Sequence, residues 1–319
     1  MATAEQIKSM VKAFIDLDDD KFKTVVLQIA AREAKLGHAN LARDLKSLID
    51  KTGKKRANIL HLNVQNPMLE ASLPSHSMAE LIVNDDTADR IKRIIIEYRN
   101  RSKLHSYGLS NRRKILIEGE PGTGKTLTAS IIASELMLPL YTVQVDKVVT
   151  KFMGETSVKL RKVFDSIEST IGVYLFDEFD AIGADRSLDN EVGEMRRILN
   201  SFLQFLEQDK SESIIFAATN NPKMLDQALF RRFDDVLHYA LPAPLEIEKL
   251  FFHKLKAYDS KFEISECIIN AALGLSHAEI SRICDDAIKD SILSDEPISQ
   301  SQIISLIKQR FTIYERREA

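Results

Sequence analysis

Gly119, Gly122 and Gly124 punctuate the stretch Gly119-Glu120-Pro121-Gly122-Thr123-Gly124-Lys125-Thr126, which follows the apolar run Ile115-Leu116-Ile117 and opens a helical pattern. The spacing GxxxxGK[ST] is that of a P-loop, and a strand before it with a helix after it is the context the motif requires. Glycines allow positive φ and a close backbone approach, so successive N–H groups and the next helix N-terminus can point at phosphate. The residues Glu120, Pro121, Gly122, Thr123, Gly124, Lys125, Thr126 and Leu127 are therefore expected to cradle the phosphates of a nucleoside triphosphate. In this scheme Lys125 reaches the β- and γ-phosphates and Thr126 offers its hydroxyl to Mg²⁺.

A second run, Val173-Tyr174-Leu175-Phe176-Asp177-Glu178, is an apolar strand ending in two acids, at a distance downstream that fits a Walker B element. The two acids have different tasks. Asp177 would hold Mg²⁺ through its water shell, while Glu178 would polarise the water that attacks the γ-phosphate. Further on, Ala217-Ala218-Thr219-Asn220-Asn221-Pro222 follows another strand pattern, and Leu225-Asp226-Gln227-Ala228-Leu229-Phe230-Arg231-Arg232-Phe233-Asp234 comes after it. An arginine offers an always-charged planar fork, suited to charge that builds on a transferred phosphoryl group.

Taken together, these runs resemble the AAA family of ATPases, over residues 78 to 319. The resemblance implies a P-loop AAA+ α/β fold with ATP and Mg²⁺ as ligands, Asn220 as the polar sensor that orients the attacking water, and Arg231 and Arg232 as fingers reaching a neighbouring subunit's nucleotide. It implies a homo-hexamer acting on protein substrates. Lys151-Phe152-Met153-Gly154-Glu155-Thr156 looks like the first pore loop of AAA unfoldases, in which Phe152 and Met153 would grip peptide side chains and Gly154 would let the loop move. The charged stretch from Asp185 to Arg197 stands where a second pore loop would be. Gly274-Leu275-Ser276-His277-Ala278-Glu279 is similar to the start of the helix that carries sensor 2 in other branches, but no arginine stands there and His277 departs from the usual glycine. Two roles stay open for His277: a contact to ribose or phosphate, or a solvent-facing cap.

The contiguous Arg231-Arg232 pair is similar to the katanin and spastin branch, and the whole chain looks like small bacterial AAA ATPases paired with a subtilisin-like serine protease in phage-defence or plasmid-incompatibility operons. The sequence contains neither GxSxG nor HExxH, so any proteolysis would come from a partner. A nucleic-acid remodeller or loader, or a slow nucleotide-controlled switch, are the competing readings. The acidic balance and the aromatic in the loop weigh against the former, and Glu178 with the arginine pair argues for real hydrolysis.

Positioning these groups requires an alternation of strands and helices. Lys114–Glu118, Leu140–Val145, Val173–Phe176 and Ile214–Ala218 are the strand candidates, with helical spacing between them, as in Ile91, Ile94, Ile95 and Tyr98 or Leu160, Val163, Phe164 and Ile167. Such alternation predicts a parallel sheet with helices on both faces and ligands at the carboxyl ends of the strands. Residues 1–52 read as an N-terminal three-helix bundle for recruitment, 53–77 as a linker, 78–242 as the large ATPase subdomain and 243–319 as a helical lid.

The 319 residues carry a net charge of −3, which supplies no global electrostatic reason to bind nucleic acid or an anionic membrane. No apolar run is long enough to span a bilayer, and the chain opens on polar, charge-mixed sequence, so a cytoplasmic location is expected. Cys267 and Cys284 have no CxxC or CxxH partner and read as buried free thiols. The seven histidines show no metal-ligand spacing.

Overall fold

The computed structural model describes residues 7–9, 11, 19–35, 38, 41, 43–45, 66–149, 155–179, 189–221, 230–256, 258–259 and 262–318, with the helical side chains of 19–23, 189–197 and 313–318 outside the description. The chain divides into two compact units, 1–63 and 64–319. In the first, helix α1 (Asp19–Lys35) buries Val25, Val26, Ile29 and Ala30 on one stripe, as a 3.6-residue period demands. Residues 7–9, 11, 41 and 43–45 are helical as well, and the rest of the expected bundle lies outside the described residues.

In the second unit a six-stranded sheet is formed by β1 (Leu69–Ser72), β2 (Lys114–Gly119), β3 (Leu140–Val143), β4 (Val173–Phe176), β5 (Ile214–Thr219) and β6 (Asp235–Tyr239). Their spatial order is β1-β3-β4-β5-β2-β6. All pairs are parallel except β1 with β3. Side chains alternate across each strand, so the two faces feed two cores. Leu116, Tyr174, Phe176, Ile215 and Ala217 pack under α6 (Glu155–Ser169) and α7 (Asp189–Gln208), whereas Ile115, Ile117, Leu175, Phe216 and Ala218 pack under α2 (Asp85–Arg99) and α4 (Lys125–Glu135). The intervening α3 (Arg101–Ser106) and α5 (Val145–Val148) are short connectors.

The segment expected to form the lid consists of α8 (Pro244–Leu255), α9 (Glu266–Ala271), α10 (His277–Ser294) and α11 (Gln300–Glu318) around a separate apolar core that includes Ile247, Phe251, Ile268, Ile280, Ile283, Cys284, Ala287, Ile303 and Ile307. Burial pushes the Cys284 thiol up to about 12, so this residue is inert packing. Cys267 corrects the expectation, because it is exposed. Its neighbour Ile268 takes the inward position, and one residue along a helix turns the side chain away by about 100°. Among the described residues no helix is long and apolar enough to cross a membrane.

Residues 90–114 hold a dense basic run, but most of it is neutralised in place. Arg90 of α2 and Arg112 both pair with Asp235 at the start of β6, Arg113 pairs with Asp209, Arg99 with Glu135 and Arg101 with Glu212. Asp234 accepts the backbone N–H groups of Arg113 and Lys114, each at 2.9 Å. The acidic pair Asp234-Asp235 thus holds β6 in register on β2.

Two strands depart from the sequence expectation. β6 is hidden in the sequence because its few apolar residues, Val236, Leu237 and Tyr239, are interleaved with Asp235 and His238 directly after the arginine pair. β1 lies inside the segment expected to be a linker and pairs antiparallel with the edge of an otherwise parallel sheet. Its four residues have little intrinsic strand preference, and their pairing is decided by tertiary contacts. Met68 and Leu69 enter the core, Gln144 donates its backbone N–H to Met68 O at 2.9 Å, and Asn66 Nδ2 donates to Lys162 O at 3.1 Å and Ser166 Oγ at 3.0 Å. Met68→Ala should therefore lower the stability of this unit by about 2–5 kcal/mol, the usual cost of emptying a buried Met site. A flexible tether would show no change in the denaturant midpoint.

Candidate active site

The P-loop leaves β2 at Gly119, between its two sheet neighbours β5 and β6, and ends where α4 begins. Gly122 and Gly124 take φ of +74° and +105°, values that L side chains rarely adopt. Gly122 is also a point of close approach, where a Cβ would stand 2.8 Å from Ser276 Oγ. Lys125 is buried with its Nζ donating to the carbonyls of Gly119 and Glu120, both at 2.8 Å, so the loop wraps around the ammonium. Thr123 Oγ1 donates to Glu120 O at 2.7 Å and tightens the same turn.

At the end of β4, Asp177 Oδ2 accepts the hydroxyl of Thr126 at 2.7 Å. Two oxygen groups, one of them anionic, converge there, which is the hard donor set that suits Mg²⁺. Glu178 is exposed and takes φ of +50°, an uncommon conformation for a residue with a Cβ. Its neighbours hold it there. Asp177 Oδ1 accepts the Glu178 N–H at 2.9 Å, and Phe179 donates its N–H to Ala218 O at 2.8 Å while its ring packs 4.6 Å from that of Phe202. The carboxylate of Glu178 is thereby presented from a strained but anchored turn. Asn220, one residue beyond β5, lines the same space.

That space is a cavity of about 770 Å³ lined by Pro121 to Leu127, Asp177, Glu178 and Asn220 on one side. The structure brings together all of the phosphate-end residues expected from sequence except Glu120, which does not line the cavity. Sequence reading missed the other side: His76, Glu80, Leu81 and Ile82 ahead of α2, and Leu250, His253 and Lys254 on α8. The one local signal there is the capping box of Ser77 with Glu80, whose carboxylate His76 and the Ser77 N–H hold below the usual range. Nothing in that signal points to a ligand. Arg231 and Arg232 are exposed and do not line this cavity, and Arg232 pairs with Glu207. Phe152, Met153 and Gly154 lie outside the described residues, as do 185–188 of the expected second pore loop, whose remaining residues 189–197 belong to the helix α7.

The lid reaches the P-loop through the first turn of α10. Ala278 donates its N–H to Gly122 O at 2.9 Å, and the cap of α10 is Ser276, in a box with Glu279. His277 is not a solvent-facing cap. It lines the cavity, and its ring nitrogens are buried without a hydrogen bond of standard geometry. Burial lowers its pKa from the ordinary 6.5, opposed by Glu246 and by the backbone at Ile82. The folded protein thus favours the neutral ring more than the unfolded chain does. Stability from this site is complete above the unfolded pKa and is lost as pH falls through about 6.5 toward the folded value. Between about pH 7.5 and 5.5 the wild-type melting temperature should fall more than that of His277→Gln. Parallel curves would remove the assignment.

Residues 115–241 match the family described as ATPase family associated with various cellular activities (AAA). An uncharacterized AAA family ATPase of Sinorhizobium fredii (strain NBRC 101917 / NGR234) is 33% identical over 303 residues, covering 92% of this chain and 90% of that protein. The ATP-dependent zinc metalloprotease FtsH 2 of Thermoanaerobacter sp. (strain X514) is 32% identical over 211 residues, 64% of this chain but only 41% of its own length. The crystal structure of the FIGL-1 AAA domain shares the fold with a TM-score of 0.61 at 19% identity, covering 77% of this chain and 86% of that one. The chain belongs to the AAA family of ATPases and is an ATP hydrolase.

Proposed function

We propose that this chain is a Mg²⁺-dependent, ATP-driven remodeller of protein substrates that works as a ring of six copies. The observation that carries the reading is the convergence of Lys125, Thr126, Asp177, Glu178 and Asn220 on one cavity while Arg231 and Arg232 stand outside it. One copy would then supply three of the four parts needed for phosphoryl transfer: a phosphate cradle, a pair of oxygens for the metal and a base with its orienting amide. The fourth, a cation for the transferred group, is displayed outward, where it can serve a neighbour's site. Asp234, which takes the N–H groups of Arg113 and Lys114, holds the segment after the arginines against β2.

In this reading the P-loop amides and Lys125 hold the phosphates, and Thr126 and Asp177 would hold Mg²⁺. The metal ion would supply neutralisation of charge on the β- and γ-phosphate oxygens. Glu178 accepts the proton of the attacking water, Asn220 orients that water, and Arg231 or Arg232 of an adjacent copy answers the charge that builds on the phosphoryl group. Phe152 and Met153 grip substrate in the ring's channel. The likeness to an ATP-dependent metalloprotease supports work on proteins, and the lack of HExxH and GxSxG in this sequence supports proteolysis by a separate partner. We assign that role to a subtilisin-like serine protease acting with this ATPase in phage defence or plasmid incompatibility. The pairing of the basic run 90–114 with acids disfavours a nucleic-acid loader.

Glu178→Gln should leave ATP binding intact while steady-state hydrolysis falls by roughly two to four orders of magnitude, the scale of a positioned base. Unchanged turnover would refute the assignment. Phe152→Ala should keep both its melting temperature and its basal ATPase while losing processing of a protein substrate. A core phenylalanine would instead cost about 3–5 kcal/mol and lower stability and ATPase together. A destabilised, inactive variant, or a stable one with full processing, would sink the gripping role.

A further inference from the structure

Tyr239 ends β6, opposite Gly119 in the parallel ladder, and is buried. Its ring runs beneath the P-loop, with Cε1 3.9 Å from where a Cβ of Gly124 would stand. Its hydroxyl meets that of Thr128, which is fully buried on the first turn of α4. Thr128 in turn sends two hydrogen bonds to one acceptor: its backbone N–H to Gly124 O at 3.0 Å and its hydroxyl to the same oxygen at 3.1 Å. Since the Thr128 proton goes to Gly124 O, the phenol is the donor in the contact between the two hydroxyls. Burial raises the Tyr239 pKa, which keeps that proton in place.

A planar trans peptide points its C=O and its N–H in opposite directions. Fixing Gly124 O downward along the axis of α4 therefore aims the N–H of Lys125 outward, at the mouth of the P-loop. We infer that the Tyr239–Thr128 hydroxyl pair is a positioning lock: it sets the Gly124–Lys125 peptide, and with it the first turn that carries Lys125 and Thr126, for phosphate. The inference rests on the P-loop reading above and extends it to a residue on a different strand. Gly124 has φ of +105° and no side chain of its own to hold this orientation, so the restraint has to come from outside the loop. Tyr239 comes from the strand that leads within a few residues to the lid helix α8, so one side chain ties the phosphate cradle to the point where the lid departs.

The test uses the full chain and titration with a fluorescent ADP, beside the melting temperature of the free protein. Tyr239→Phe and Thr128→Val should each weaken ADP binding about tenfold, whereas Thr128→Ser, which keeps the hydroxyl, should bind as the wild type does. Because the two hydroxyls act through one peptide, the double variant Tyr239→Phe with Thr128→Val should be no worse than either single change. A pair that only satisfies buried hydroxyls would lower the melting temperature and leave ADP affinity alone, which overturns the lock. Multiplied losses in the double variant, or equal losses in Thr128→Ser and Thr128→Val, overturn it too. Lys125→Ala keeps the two ideas apart. Weakened ADP binding there with normal binding in Tyr239→Phe rejects the lock alone, and undiminished binding in Lys125→Ala rejects the P-loop reading beneath it.

Discussion

Bringing bare backbone N–H groups to a phosphate demands a turn that few side chains permit, and the rest of this molecule is arranged around that demand. Gly119, Gly122 and Gly124 all have positive φ. A loop this free of side chains has little of its own to define its shape. Definition is supplied from around it: the Lys125 ammonium gathers carbonyls within the turn, the lid donates Ala278 N–H to Gly122 O, and β6 offers Tyr239 from below. Glycine gives access to the ligand, and neighbours restore order to the glycine.

The same economy governs Glu178. An exposed carboxylate cannot be fixed by its own burial, so the residues beside it are fixed instead. Asp177 is bound to Thr126, and Phe179 is sunk into the aromatic group of Phe176 and Phe202. The uncommon φ of Glu178 is sustained because both flanks are over-determined. Phe202 belongs to α7, so the packing that anchors Glu178 is shared with the helix that takes in 189–197 of the charged stretch. Charge is handled in a similar way at the β6 edge of the sheet, where Asp234 and Asp235 collect two backbone amides and two arginines and seat β6 on β2.

Much of this was legible in the residue order because the relevant chemistry is contiguous. The P-loop and the two acids after β4 are each a short run in which spacing and flanking periodicity state the local structure, and the helical stripe of Ile91, Ile94, Ile95 and Tyr98 is buried as its period requires. Four-residue β1 and polar-interleaved β6 were not legible, since a short strand is recruited by its partner's edge and not by its own propensity. His277 shows a third case. Its departure from glycine was visible, but whether it capped a helix or faced a ligand depended on what packs over it, and Ser276 takes the cap.

By itself the sequence determined the class of fold and the hydrolase chemistry, because these follow from local periodicity and from motifs that span a few positions. Only the tertiary structure decided which distant segments share the cavity. The strand order puts β2 between β5 and β6, which sets Asn220 on one flank of the P-loop and Tyr239 on the other. Lid packing carries Ser276 and Ala278 onto Gly122, His277 into the cavity, and Ile82 onto the lid core. The arginine pair is left outside its own chain's cavity. Residues more than a hundred positions apart meet through sheet order and helix packing, and neither quantity is written in the pattern of any single segment.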